Sequence, residues 1–123
     1  MTIRYIVEER DQYLLFTGEG TEDDLDGNII IHKMIVDACK KRNCQRVLID
    51  DRNVVYTATA SSIYSLAKHY SEMDVPRFIL PAAVLADQAY RSDNKFFENV
   101  MQNRGINLRI FYELEAAEKW FTT

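Results

Sequence analysis

The chain has 123 residues, 15 of them basic and 19 acidic, for a net charge of −4 and an isoelectric point near 5.1. That is the length of one domain, and 47% hydrophobic residues are enough to fill a core, which excludes disordered and low-complexity classes. The acidic balance excludes a generic nucleic-acid binder, because counterion release needs a basic surface.

No run of eighteen apolar residues is present, so no membrane span is expected. The opening MTIRYIVEER lacks the apolar core of a signal peptide, and a cytoplasmic location is expected. Ile3, Tyr5 and Val7 alternate, predicting a strand over residues 2–8. Asp11-Gln12 is the turn, and residues 13–17 form a second strand that completes a hairpin and stops at Gly18-Glu19-Gly20.

Thr21-Glu22-Asp23-Asp24 reads as a helix start, with Thr21 as N-cap and acids in the first turn. Gly27 inside that helix costs about 1 kcal/mol against Ala, which leaves open a kink or a later start at Asn28. Ile31, Met34, Ile35 and Ala38 keep a helical spacing to about residue 42. Ile29-Ile30-Ile31 alone would suit a strand, but the lysines that follow favour the helix. Lys40-Lys41-Arg42 and Arg46 are cations that complement the helix's C-terminal dipole.

Val47-Leu48-Ile49, within a strand over residues 46–50, suits burial on both faces. Ile63, Leu66, Ala67 and Tyr70 fall at i, i+3, i+4 and i+7, predicting a helix over residues 61–71. Residues 82–86 are the next strand, with Pro81 at its start. Ser92 caps a helix that turns Phe96, Phe97, Val100 and Met101 inward and stops at Gly105. Residues 108–111 are the last strand. Leu114, Ala117 and Phe121 face inward on a final short helix. The order β-β-α-β-α-β-α-β-α predicts an α/β fold in a single domain over residues 1–123. Its sheet is mainly parallel, with right-handed crossovers and an antiparallel first hairpin.

Ligands of an open parallel sheet gather outside the carboxyl ends of its strands. There the sequence places Glu19, Asp50-Asp51-Arg52, Asp87 and Glu113, an acidic rim. Gly18-Glu19-Gly20 is half of a dinucleotide fingerprint, but its third glycine position is Asp23 and the surrounding acids repel a pyrophosphate. Asp50, Asp51 and Asp87 are oxygen donors of the kind that hold Mg²⁺; against that, each acid can instead cap a following helix, and Asp50 or Asp51 can pair with Arg52. Ser61, Ser62 and His69 do not form a nucleophile–base pair, since Ser62 and His69 are separated by about 10.5 Å of helical rise. Cys39 and Cys44 read as small buried hydrophobes rather than a disulfide. His32 and His69 stand apart from any zinc spacing, and Tyr56 and Tyr90 read as packing residues in loops near the rim. No cofactor or metal is expected.

Three segments carry a family resemblance. Leu108-Arg109-Ile110-Phe111-Tyr112-Glu113-Leu114-Glu115-Ala116-Ala117-Glu118-Lys119-Trp120-Phe121 resembles the closing strand and helix of the SpoIIAA-like proteins. Val47-Leu48-Ile49-Asp50-Asp51-Arg52 resembles that family's apolar strand followed by Asp and Arg, and Ala82-Ala83-Val84-Leu85-Ala86-Asp87 resembles its next strand, also ending in Asp. The resemblance implies a β-α superhelix related to the STAS domains of anti-sigma-factor antagonists and to the CRAL-TRIO lipid-binding domains. STAS domains carry a phosphorylated serine in an Asp-Ser-Ser-Gly stretch. Here the matching stretch reads Thr57-Ala58-Thr59-Ala60-Ser61-Ser62-Ile63, with hydroxyls but without that Asp and Gly.

The expectation is therefore a non-catalytic, cytoplasmic regulatory or interaction domain that contacts a protein partner or small ligand, the alternative being a small lipid-binding module of the CRAL-TRIO type. Its candidate ligand or regulatory rim is Asp50, Asp51, Arg52, Thr59, Ser61, Ser62 and Asp87. Asp50 is expected to cap backbone N–H groups or pair with Arg52. Residues 57–62 are expected to be a helix-capping turn without regulatory phosphorylation. Trp120 and Phe121, spare aromatics at the end of the final helix, predict a homodimer interface.

Overall fold

Five strands form one mixed sheet in the computed structural model, which describes residues 3–10, 13–22, 25–43, 46–56, 82–87, 91–103 and 107–121 together with Lys68 and Ala89. They are β1 (Arg4–Glu9), β2 (Leu14–Glu22), β3 (Val47–Tyr56), β4 (Ala82–Leu85) and β5 (Leu108–Phe111), lying side by side in chain order. β1 runs antiparallel to β2, whereas β2–β3, β3–β4 and β4–β5 are parallel. The described residues contain three longer helices, α1 (Leu25–Lys41), α2 (Arg91–Asn103) and α3 (Leu114–Phe121).

Strand alternation sorts the core onto two faces. Leu14, Phe16, Val47, Ile49 and Leu108 share one cluster with Ile35, Val36 and Cys39 of α1 and Met101 of α2. Leu48, Ala83 and Leu85 share the other with Ala117 and Phe121 of α3. Val47, Leu48 and Ile49 are buried in succession, as a strand covered on both faces requires. Burying each such side chain contributes about 1.5–3 kcal/mol. Cys39 is buried in the first core cluster; Cys44 lies outside the described residues.

Two strands run further than their apolar residues indicate. β2 does not stop at Gly18-Glu19-Gly20 but continues through them to Glu22, so Thr21 is a strand residue rather than an N-cap, and α1 begins at Leu25. β3 does not end at Asp50 but continues to Tyr56, so Asp50, Asp51 and Arg52 lie inside the strand and Tyr56 ends it. The reason is pairing. Beyond the edge of β4, which ends at Leu85 opposite Asp50, β2 and β3 stay paired, Glu19 to Glu22 opposite Asn53 to Tyr56, with β1 reaching only as far as Glu19. Backbone hydrogen bonds hold the pairing through the polar residues, and Val54 anchors the extension by its burial in the first core cluster.

Helix phase departs from the spacing in three places. Met34, Phe96 and Leu114 are 44%, 40% and 40% exposed, not inward. Among the residues of α1 whose burial is described, Ile35, Val36 and Cys39 are buried and Ala38 packs half-buried beside them, so Ile35 and Ala38 of the expected stripe face the core and Met34 does not. Apolar residues at a helix boundary face satisfy the same spacing on either side of the stripe. α1 closes as its sequence directs, with Asn43 in the left-handed conformation at φ 51° and its N–H donating to Lys40 C=O at 3.2 Å, a C-terminal cap. Ser92 lies in the first turn of α2, which begins at Arg91.

The helix expected over residues 61–71 falls outside the described residues except for Lys68, which is helical. Pro81, Tyr90, Gly105 and the turn residues Asp11 and Gln12 also fall outside them, as does His69.

Candidate functional site

β3 sits at the centre of the sheet and carries the rim acids. Its register with β2 shifts between Thr17 and Glu19: Thr17 pairs with Asp50 and Glu19 with Asn53. Asp51 and Arg52 together therefore stand opposite the single residue Gly18, a β-bulge of the kind that re-aims side chains. Asp50 and Asp51 point to opposite faces, because successive strand residues alternate.

On one face, Asp50 and Arg52 form a two-pronged ion pair, with Arg52 Nε 3.0 Å from Oδ1 and an Nη 2.9 Å from Oδ2. The Arg52 backbone N–H also donates to Asp50 Oδ1 at 3.2 Å. The hydrogen bonds that Arg52 donates to Asp50, and the charge of that carboxylate, raise the guanidinium above its ordinary pKa, with burial opposing them. Arg52 is half exposed, so the pair is a surface contact of about 0–1 kcal/mol.

On the other face, Asp51 is a buried carboxylate. Tyr5 Oη donates to its Oδ1 at 2.7 Å. The Tyr5 ring reaches it by passing close over Gly18, its cross-strand neighbour; a Cβ at Gly18 would come within 2.6 Å of the ring. Glycine is thus required at position 18 by close approach of an aromatic ring. Gly20, at φ 121°, is required by its backbone conformation. The two glycines that resembled half of a phosphate-binding loop are strand residues with these separate structural duties, and that reading is set aside.

Asp87 follows β4, and its Oδ1 accepts the Ala89 N–H at 3.0 Å, a local turn bond. Glu113 is exposed between β5 and α3. The three aspartates are thereby divided among an ion pair, a tyrosine and a backbone turn. Among the described residues no group of three potential metal ligands converges. Thr59, Ser61 and Ser62 lie outside the described residues. The sheet order runs from β1 to β5 without reversal, and a crevice at strand ends opens where the order reverses.

At the opposite side of the sheet, α3 closes the second core cluster. Phe121 is buried and meets Tyr13 at 5.3 Å and Trp120 at 5.6 Å between ring centroids; Trp120 also meets Phe111 at 5.7 Å. Tyr13 Oη donates to Glu118 at 2.9 Å. Burial first, then this hydrogen bond and the nearby negative charge, raise the Tyr13 phenol above its ordinary value. Phe121 is buried in the second core cluster and Trp120 packs half-buried against it, whereas Leu114 is exposed, so the two aromatics cover the sheet and are not spare.

Tyr5 and Gly18 were not among the expected site residues. The signal was present in the glycines flanking Glu19, since a glycine inside a strand marks a bulge or a close approach.

No family model matches the chain, and no curated protein matches it. Solved structures do. An anti-sigma factor antagonist from Mycobacterium paratuberculosis aligns over 99% of this chain and 96% of its own, at 15% identity and a TM-score of 0.65. The chain shares its fold with an anti-sigma factor antagonist. The protein TM1081, solved by NMR, aligns over 94% of this chain and 86% of its own at 12% identity and a TM-score of 0.51. A DUF3478-family protein from Shewanella loihica, described as having a SpoIIAA-like fold, aligns over 97% and 93% at 16% identity and a TM-score of 0.49. Among the described residues no helix is long and apolar enough to cross a membrane.

Proposed function

We propose that this chain is a non-catalytic cytoplasmic regulatory domain that works by binding another protein. The observation that carries this reading is the likeness to an anti-sigma factor antagonist along nearly the whole of both chains. The rim supports it: Asp50 is engaged by Arg52, Asp51 by Tyr5 and Asp87 by a backbone N–H. Arg52, paired with Asp50, and Asp87 are exposed and shape a surface for contact, with Asp51 buried beneath it. By the same likeness, the partner is an anti-sigma factor, and the exposed residues Arg52, Asn53 and Val55 of β3 belong to the contact surface.

Thr59, Ser61 and Ser62 follow β3 in the sequence and act, in this reading, as capping hydroxyls rather than as a phosphorylation switch. The test is calorimetric titration of the full chain against each purified anti-sigma factor of its own organism, with the intact mass of the chain measured from its own cells. One saturable complex and an unmodified mass are expected. No binding across the set overturns the partner class, and one added phosphate mapped to Thr59, Ser61 or Ser62 overturns the unswitched reading.

A further inference from the structure

The two outer strands of the sheet are finished differently. At β5, α2 occupies the open edge: Glu98 Oε2 accepts the Ile110 N–H at 2.7 Å, and Gln102 Nε2 donates to Leu108 C=O at 3.1 Å. Another strand cannot add there without displacing both side chains. At β1 the hairpin is closed by the Arg10 N–H donating to Tyr13 C=O at 2.9 Å. Counting back from that closure, antiparallel alternation turns the backbone groups of Glu8, Ile6 and Arg4 toward β2 and those of Val7 away from it. The side chains of Arg4, Ile6 and Glu8 share one sheet face. Ile6 is the most exposed large apolar residue described, at 67%, and Arg4 and Glu8 on either side of it are exposed as well.

We propose that β1 pairs antiparallel with β1 of a second copy of this chain, Ile6 opposite Ile6, joining two sheets into one. In that register Arg4 of each copy faces Glu8 of the other, on both sides of the isoleucine pair. Charged side chains on an edge ordinarily discourage an added strand. Here the two signs are equidistant from Ile6, so they select one register. Shifting by two residues toward the hairpin sets Arg4 against Arg10. Shifting by four sets Glu8 against Glu8, and shifting the other way sets Ile6 against Arg4. Odd shifts put the outward backbone groups out of step. Arg4 and Glu8 also meet Glu19 and Arg10 within their own chain, each at 2.9 Å. These are exposed pairs of the weakly held kind, and a guanidinium has donors to share. The interface rests on the β1 edge and stands independently of any regulatory partner.

Sedimentation equilibrium of the full chain and its variants tests this. The wild type is expected to be a dimer at tens of micromolar. Ile6→Lys, which places two ammonium groups face to face, is expected to weaken association by about tenfold or more. Arg4→Glu is expected to do the same, and Arg4→Glu with Glu8→Arg to restore the dimer. Ile6 lies in the narrow, non-hydrogen-bonded type of pair, with Cα atoms about 4.5 Å apart, within disulfide range. Mild oxidation of Ile6→Cys is therefore expected to give a covalent dimer. Circular dichroism checks that each variant is folded. A wild type that stays monomeric at hundreds of micromolar overturns the proposal and leaves the edge to another protein's strand. A dimer that persists in both Ile6→Lys and Arg4→Glu overturns it by placing the interface elsewhere.

Discussion

Replacing Gly18 by alanine probes the stack of Tyr5 on the central strands. The new Cβ would meet Tyr5 Cε1 at 2.6 Å and Cζ at 2.9 Å, whereas carbon atoms in contact prefer about 3.5–4.0 Å. The ring must move by about 1 Å to restore that separation, yet its far end is held by the 2.7 Å hydrogen bond to Asp51. Overpacking of this size costs about 1–3 kcal/mol, and weakening a hydrogen bond to a carboxylate costs about 1.5–3 kcal/mol. The two overlap, because one displacement of the ring causes both. The Gly18 backbone lies outside the left-handed region, so alanine itself fits the strand and returns about 0.4–1 kcal/mol by restricting the unfolded chain. The net expectation is a loss of about 2 kcal/mol, or roughly 8 °C in Tm for a chain of this size. Urea denaturation of the wild type, Gly18→Ala, Tyr5→Ala and the double variant separates the causes. With Tyr5 cut back to alanine the collision disappears, and adding Gly18→Ala becomes neutral or slightly stabilising. Equal costs in the two backgrounds, or no cost in the wild type, refute the close-approach argument.

Two further outcomes follow from the same contacts. Asp50→Ala removes the pairing with Arg52 and is expected to lower stability by about 0.5–1 kcal/mol, the scale of a surface ion pair, with a small shift of the urea midpoint; a loss beyond about 2 kcal/mol would reveal a buried role for the carboxylate. For Tyr13, the folded phenol titrates above the unfolded one. Its contribution is therefore complete below pH 10 and is lost as pH rises through the folded value, because the unfolded chain releases its proton first. Urea unfolding across the alkaline range should show the wild type losing stability more steeply than Tyr13→Phe, and parallel profiles would contradict the burial and hydrogen bonding that raise this group.

Most of the element order was legible in local pattern. Val47-Leu48-Ile49 and residues 82–85 are short apolar runs, and a strand covered on both faces leaves no alternation to misread. The C-terminal helix was likewise placed within its observed bounds, Leu114–Phe121. The ends of β2 and β3 were not legible. The glycines and acids of β2 and the Asp50-Asp51-Arg52-Asn53 stretch of β3 interrupt the apolar pattern, and the pairing of the two strands together with burial of Val54 carries them past it.

The candidate site divides along the same line. The sequence placed Asp50, Asp51 and Asp87 at strand ends, which holds for Asp87 alone; because β3 continues past Asp50 to Tyr56, Asp50 and Arg52 share a strand face and pair. Which partner each acid takes was decided by the tertiary structure. Tyr5 and Asp51 are separated by 46 positions in the chain, and they meet because an antiparallel hairpin and a parallel crossover bring β1, β2 and β3 side by side, with a glycine between them thin enough for the ring to pass. Trp120 and Phe121 show the converse. Their spacing marks them as an aromatic end to a helix, but whether that end covers the sheet or is left to a partner depends on how far α3 tilts over Leu48, Ala83 and Leu85, and a pattern within eight residues holds no information about a surface contributed by strands elsewhere in the chain.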